Sequence, residues 1–282
     1  MADTIGIMAG SGQFPFLVAR SAKSKGYKVV ICGFHDNADP VLAGEADAFV
    51  MLHLGRLSEL IKFFKKHGAD QVCMAGAISK PKALELKPDF RVAKLIFKLA
   101  GSGKGDDAIL RAVAEELKSE GITVVRPDTL VPDLHGAPGV LGSKMPDPEL
   151  WQDIRFGWSM AKAVGALDIG QCVVVRSGIV VAVEGMEGTD ATLARGGELG
   201  GPGCTAVKVV KPGQDKRLDL PSVGAATLEL LARYRFACLA FDAGGTLFFD
   251  KEAALQIAQK HKISVVAVPG GDAAEAFFNQ HS

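Results

Sequence analysis

The feature that most limits what this chain can fold into is the rhythm of its first half. Short apolar runs alternate there with amphipathic stretches that stop on glycine. "TIGIMAG" (4–10) reads as a strand ending in Gly-Ser-Gly, and "FPFLVARSAKSKG" has helical spacing up to Gly26. "YKVVICGF" is a second strand, "LSELIKFFKKHG" an amphipathic helix closed by Gly68, and "ADQVCMAGAI" a third strand. "DDAILRAVAEELKSEG" is a further helix stopping at Gly121, and "ITVVRP" is the strand after it. Strands this apolar need cover on both faces, and crossover helices supply it, so the pattern predicts a parallel sheet.

The second half has another texture. "HGAPGVLGSKMPDPE" (135–149) is dense in Gly and Pro and reads as a linker. A long helix follows from Pro148. "QCVVVRSGIVVAVEG" then predicts a two-strand hairpin turning at Ser177-Gly178. Beyond it come the strand "TAVKVV", the helix "AATLELLARYR", the strand "FACLAFDAG", a strand-like "TLFF", the helix "KEAALQIAQKHK" and the strand "ISVVAVPG". The expected organisation is an N-terminal domain over 1–132, a linker over 133–148 and a mixed α/β domain over 149–275.

Length supports two domains, since 282 residues that are 48% hydrophobic can build two cores. Lys plus Arg and Asp plus Glu both number 32, so net charge gives no case for nucleic acid or an anionic surface as a general partner. The five cysteines form no CxxC pair, and four lie in apolar runs, which predicts buried free thiols of a reducing compartment. The opening "MADTIGIMAGSG" has no basic segment before a long apolar run, so a cytoplasmic protein is expected.

Several segments carry candidate chemistry. Gly10, Ser11 and Gly12 end a strand before a helix, where backbone N–H groups can meet a phosphate or a hydroxyl. The turn is not a full GxGxxG, because Pro15 holds the third place, and no acidic residue ends the second strand to bind a ribose. Gly76 and Lys80, in "GAISKP", follow another strand end and are candidates for the same ligand. In "GSGKGDDAILR", Lys104 lies in a glycine-rich approach to Asp106 and Asp107; a helix cap accounts for one acid and leaves the other. "VEGMEGTDATLARG" brings Glu184, Glu187, Thr189 and Asp190 together after a strand, and acids this close call for a cation or basic neighbours. "AFDAGGTLFFD" has part of a phosphatase nucleophile loop but holds Gly244 where the second Asp belongs, so a Gly-Gly turn is the better reading. "VKPGQDKRLDLPSVG" (210–224) packs acids and bases between a Pro-Gly and a Pro, as either a solvated loop or a phosphate and metal site.

Taken in order, "GIMAGSGQFP", "GAISKP", "KGDDAILR", "LDIGQ", "VAVEGMEGTDATLARG", "KPGQDKRLDLPSVGAAT" and "FACLAFDAGGTLF" resemble the LpxI family of UDP-2,3-diacylglucosamine pyrophosphatases of lipid A biosynthesis, over about residues 4–270. Ser222-Val223 departs conservatively from the usual Thr-Ile, and "GELGGPG" is shorter than in many relatives. The resemblance implies Mg²⁺-dependent hydrolysis to UMP and 2,3-diacylglucosamine 1-phosphate (lipid X). It implies a Rossmann-like N-terminal sheet, a second mixed α/β domain and an active site in the cleft between them. It makes Asp219, the Asp of "DLP", an essential catalytic and metal-associated residue, and has water attack the phosphorus on the sugar side.

On that basis Asp219, Asp190 and Glu187 are expected to hold Mg²⁺ and orient water. Lys211 and Arg217 are expected on phosphate oxygens, with Lys208 beside them. Gln171 and Gln214 are expected on base, ribose or sugar, with Asp215, Thr189, Gly224 and Thr227 completing the substrate contacts. Acyl chains require an apolar crevice, which the helix around Phe90–Leu99 would line unless it touches the inner membrane surface or is an ordinary packed helix. A homodimer is left open. Two other classes remain at this point: a non-catalytic nucleotide-sugar binding protein, and an NAD(P)-linked oxidoreductase. A pure binder has no use for the acids Glu187, Asp190 and Asp219 beside Lys211, and tight NAD(P) binding marks the oxidoreductase.

Overall fold

The computed structural model describes residues 3–78, 88–99 and 106–281. The chain divides into two compact units. One comprises Met1–Pro132 and Asp215–Asp219, the other Asp133–Gln214 and Leu220–Ser282.

The first unit is built in the order β1 (Thr4–Ala9), α1 (Phe14–Ser24), β2 (Lys28–Phe34), β3 (Ala48–Leu52), α2 (Leu57–Lys66), β4 (Gln71–Ala75), α3 (Phe90–Leu99), α4 (Asp106–Ser119) and β5 (Thr123–Val125). Its five strands pair in parallel in the order β3-β2-β1-β4-β5. Side chains alternate across each strand. Met8, Val30, Cys32, Val72 and Val124 face Leu60, Ile61 and Phe64 of α2 and Ala114 and Leu117 of α4. The alternate residues Ile5, Ile7, Val29 and Ile31 are also buried, and α1 buries Val18, Ala19 and Ala22. Both faces are thus covered, which is why these strands read as nearly continuous apolar runs.

The second unit runs through β6 (Gly139–Leu141), α5 (Pro148–Ala166), β7 (Cys172–Arg176), β8 (Ile179–Val183), α6 (Thr189–Gly200), β9 (Thr205–Lys208), β10 (Ser222–Val223), α7 (Ala225–Arg233), β11 (Cys238–Asp242), β12 (Leu247–Phe248), α8 (Lys251–His261), β13 (Ser264–Val268) and α9 (Ala273–Asn279). A six-stranded mixed sheet has the order β6-β13-β11-β9-β7-β8. The central β9, β11 and β13 are parallel, and β6, β7 and β8 are antiparallel additions. One face packs Val174, Ala206, Leu239, Phe241 and Val265 against α6, α7 and α8. The other packs Val173, Val207, Ala240 and Val266 against α5 and α9 through Trp151, Trp158 and Phe278. The β7–β8 hairpin turns at Ser177 and Gly178, both with positive φ as a two-residue hairpin loop requires.

Three features depart from expectation. The stretch 133–148, expected as a linker, belongs to the second unit, because β6 adds an antiparallel edge to β13. A five-residue edge strand, β3, joins the first sheet. Residues 215–219, expected within the C-terminal domain, group with the first unit, and Leu218 is buried in that unit's core. All five cysteines are free and buried, and burial raises the thiols of Cys32, Cys73 and Cys172 to about 12. Among the described residues no helix is long and apolar enough to cross a membrane.

Leu218 is the only residue between positions 215 and 219 counted in that core, so its side chain holds the segment. Leu218→Ala is expected to cost about 2–4 kcal/mol, the usual loss for a buried Leu plus its residual cavity. Urea denaturation followed by circular dichroism measures this, and an unchanged midpoint would show that the segment is not anchored there.

Candidate functional site

In the first sheet the strand order reverses between β1 and β4, the switch point outside whose carboxyl ends open α/β sheets bind ligands. Gly10, Ser11, Gly12 and Gly76 all sit there. The two strand-end loops are bonded to each other. Ser11 N–H donates to Ala77 O at 2.8 Å, Ala77 N–H to Ser11 O at 3.2 Å, and the Ser11 hydroxyl to Ala77 O at 3.1 Å. The glycines make this approach possible. A Cβ on Gly10 would lie 2.3 Å from Ala77 O, and one on Gly76 would lie 2.5 Å from Ser11 O. Gly12 and Gly76 also have positive φ, +88° and +91°. Ser11 is therefore a structural clip between the two loops. Lys80 and Lys104 lie outside the described residues. Asp106 and Asp107 are the first two residues of α4.

The returning segment forms a helical turn in the same unit. Leu218 N–H donates to Asp215 O at 2.9 Å and Arg217 N–H to Asp215 Oδ1 at 3.1 Å. The Arg217 guanidinium grips the Asp215 carboxylate through Nε at 2.9 Å and Nη2 at 2.6 Å. That grip holds the Asp215 carboxyl below its ordinary range, and Arg111 on α4 adds a smaller push in the same direction. Arg217, expected on phosphate, is thus engaged by its own neighbour two residues away. Leu218 is buried and Asp219 is exposed.

In the second unit the acidic cluster resolves into different jobs. Glu184 is buried: its Oε2 accepts from Gln171 N–H at 3.1 Å and its Oε1 from the Thr189 hydroxyl at 2.8 Å. Gly170 permits this, since a Cβ there would lie 2.1 Å from Glu184 O. Glu187 Oε1 pairs with Arg195 at 2.6 Å and its Oε2 accepts from Gly185 N–H at 3.1 Å. Its carboxyl is held low by its own backbone N–H first and by Arg195 next. Asp190, in the first turn of α6, is exposed. One end of the Gln171 side-chain amide, Oε1, is buried with no hydrogen-bond partner among the described residues.

The 210–214 stem also belongs to this unit. Lys211 Nζ meets Asp168 Oδ1 at 2.7 Å, and Lys211 N–H donates to Gln214 Oε1 at 3.1 Å. Lys208 is buried and donates to Ser222 O at 2.9 Å. The Thr227 hydroxyl accepts from Gly224 N–H at 3.3 Å and closes the start of α7. Asp242, from the phosphatase-like "FDAGGT", is buried and paired with Lys162 at 2.6 Å, so it serves as a brace. Sequence reading missed Lys162, whose only signal was its place on a long helix.

Mg²⁺ takes one or two protein carboxylates and fills its shell with water and phosphate oxygens. Asp190 in the second unit and Asp219 in the first are both exposed carboxylates. Glu187 does not fit that demand, because both its oxygens are satisfied by cationic and N–H donors. Among the described residues no three His, Cys, Asp or Glu side chains gather into a ready ligand shell.

These features define a two-unit α/β protein with a glycine-cleared strand edge and a returning acidic loop. Residues 4–134 match the LpxI N-terminal domain and residues 137–266 the LpxI C-terminal domain. The chain is 35% identical over 275 residues to the UDP-2,3-diacylglucosamine pyrophosphatase LpxI of Caulobacter vibrioides, covering 94% of this chain and 97% of that one. The chain belongs to the LpxI family. Two solved structures are also similar in part. Rhizobium etli pyruvate carboxylase T882A matches 66% of this chain and 17% of its own, at 14% identity and a TM-score of 0.29. N5-carboxyaminoimidazole ribonucleotide synthetase from Thermotoga maritima matches 64% and 41%, at 15% identity and a TM-score of 0.27. The comparisons correct the motif-based identification in its reach. The likeness is to two separate domains, the second ending at residue 266, and the activity named is that of the Caulobacter relative.

Gly76→Ala forces a Cβ against Ser11 O at a positive φ. We expect a loss of about 1–3 kcal/mol, typical of strain at a glycine-only position, read as a lower thermal midpoint. Wild-type stability in Gly76→Ala would mean that the two loops are not clipped together.

Proposed function

We propose that this chain hydrolyses the pyrophosphate bond of UDP-2,3-diacylglucosamine to UMP and 2,3-diacylglucosamine 1-phosphate. The observation that carries this reading is the 35% identity to the Caulobacter pyrophosphatase over nearly the full length of both chains. The position of the family's essential Asp is kept as an exposed residue beside a buried anchor, Asp219 next to Leu218.

Hydrolysis of a phosphoanhydride needs a positioned water, neutralised phosphate oxygens and a leaving phosphate. Asp219 accepts a proton from the attacking water, which adds to the phosphorus on the sugar side as UMP departs. When bound, Mg²⁺ neutralises charge on the phosphate oxygens, and Asp219 and Asp190 are the residues that would hold it. Lys211 supplies further positive charge, and its ion pair with the well-exposed Asp168 is given up cheaply. Gln171 offers its buried, unsatisfied amide oxygen to an N–H or O–H of base or ribose. The turn at Gly10–Gly12, at the switch point, receives polar groups of the substrate through groups other than the Gly10 and Ser11 N–H, which already donate to Ala75 O and Ala77 O. Arg217 acts by holding Asp215 and the turn.

Asp219→Ala is expected to lower UMP release at least about 100-fold with an unchanged circular dichroism spectrum, the usual scale for a catalytic acid–base group. Chelation with EDTA should abolish activity and added Mg²⁺ restore it. Hydrolysis in ¹⁸O-water should label the lipid product. Near-normal turnover by Asp219→Ala would remove that residue from the mechanism.

We further propose that α3 meets an anionic membrane surface at the cytoplasmic face of the inner membrane. Val92 and Leu95 pack toward the unit's core, and Arg91 is tied to Glu116 and Glu120 at 2.6 Å each. On the opposite side Phe90 and Phe97 are each 85% exposed. Residues seven apart share a helix face, and Lys94 and Lys98 flank this pair. Exposed Phe beside Lys is the make-up of an interfacial helix. Replacing Phe90 and Phe97 by Ser should markedly reduce sedimentation with phosphatidylglycerol-containing vesicles. A dimeric mass lost in the same variant would instead put a second copy on this face.

A further inference from the structure

We infer that the Lys162–Asp242 ion pair is a positioning device for the stem that carries Lys211, a conclusion that rests on the hydrolase reading above. The starting point is a backbone problem. Strand β9 ends at Lys208, and the chain leaves the sheet there. Val210 is buried, and buried N–H and C=O groups must find partners once the ladder stops. One side-chain pair satisfies both. Val210 N–H donates to Asp242 Oδ2 at 2.5 Å, and Lys162 Nζ donates to Val210 O at 3.0 Å. The two side chains close the ring, with Lys162 Nζ 2.6 Å from Asp242 Oδ2.

The pair is itself held. Asp242 is the last residue of β11, the strand beside β9. Lys162 sits on α5 with its ammonium 4.9 Å from the Trp158 ring centre. Past Val210 the stem stays against α5. A Cβ on Gly165 would lie 3.2 Å from Pro212 Cδ and 3.3 Å from Lys211 Cα, so a larger residue there would push the stem out by a few tenths of an ångström. Lys211 then pairs with Asp168, and Gln214 closes the turn onto Lys211 N–H. The stem is therefore fixed from Val210 to Gln214. Asp215 begins the segment that groups with the first unit, and Asp219 lies four residues on. A carboxylate with hydrogen bonds to both an ammonium and a backbone N–H is a costly thing to bury for a surface loop alone. Here it sets the course of the stem that presents Lys211.

The test compares wild type, Lys162→Met, Asp242→Asn and Lys162→Arg as full-length chains. Steady-state UMP release gives kcat and KM separately, and trypsin sensitivity after Lys216 reports on the chain immediately beyond the stem. For Lys162→Met we expect kcat to fall about 10- to 100-fold, the scale of an ångström-sized misplacement, with KM changed less than about threefold. Cleavage after Lys216 should accelerate, and Lys162→Arg should recover most of both. Asp242→Asn, which leaves no unpaired buried anion, carries the same test if Lys162→Met does not fold. Folded variants with wild-type kcat, or a loss confined to KM, would overturn the inference. Trypsin resistance equal to wild type in both variants would do so as well. If wild type releases no UMP while trypsin still separates the variants, the hydrolase reading falls and the stem clamp stands on its own.

Discussion

Everything proposed for Asp219 depends on the burial of one side chain, Leu218. The core that encloses it is otherwise built from residues before Pro132, so the fold brings the chain back into its first unit for five residues. Apolar burial is non-directional, and on its own it would fix the depth of the segment and not its rotation. The Asp215–Arg217 grip and the N–H bonds to Asp215 add direction. In a turn so held, adjacent residues diverge: Leu218 goes inward and Asp219 stays in solvent. Anchor and acid are neighbours because one sets the exposure of the other.

The acids of this chain divide by the partners they already have. Glu184, Glu187, Asp215 and Asp242 each accept hydrogen bonds from N–H groups, and the last three also meet a Lys or Arg. A carboxylate so satisfied gives up those bonds before it can take a metal or a proton, and the cost is higher where it is buried. Asp190 is exposed and tied to the positive end of α6, which stabilises its charge without occupying both oxygens. The same sorting separates the bases. Arg217 is committed to a bidentate partner, whereas the carboxylate that Lys211 meets, Asp168, is exposed. Counting charges in the loops therefore overstates how many are available for chemistry.

How much was legible in the sequence follows the range of the forces involved. The parallel sheet, its helices and the β7–β8 hairpin follow from local periodicity and from Ser177-Gly178, all within a few residues. The edge strands were harder. β3 is largely half-buried, so its apolar alternation is blurred, and β6 is three residues inside a Gly-Pro-rich stretch. At the site, Gly10, Gly12 and Gly76 announced turns. Their purpose did not show, because it is a contact between loops 66 residues apart. The Lys162–Asp242 pair spans 80 residues and had no local signature at all.

The phosphatase-like "FDAGGT" shows why local resemblance misleads. Its Asp lies at the end of a parallel strand, the right place for a nucleophile in an open α/β sheet. A nucleophile must be presented to the reacting atom, and Asp242 is 3% exposed with one oxygen shared between Lys162 and Val210. The environment that makes it a good brace disqualifies it as an attacking group. The second unit also holds buried side-chain atoms without a hydrogen-bond partner among the described residues, and the Gln171 amide oxygen is one of them. An acceptor left unsatisfied in the interior costs stability until a donor arrives. Such a group therefore favours ligands bearing an N–H or O–H over those that lack one.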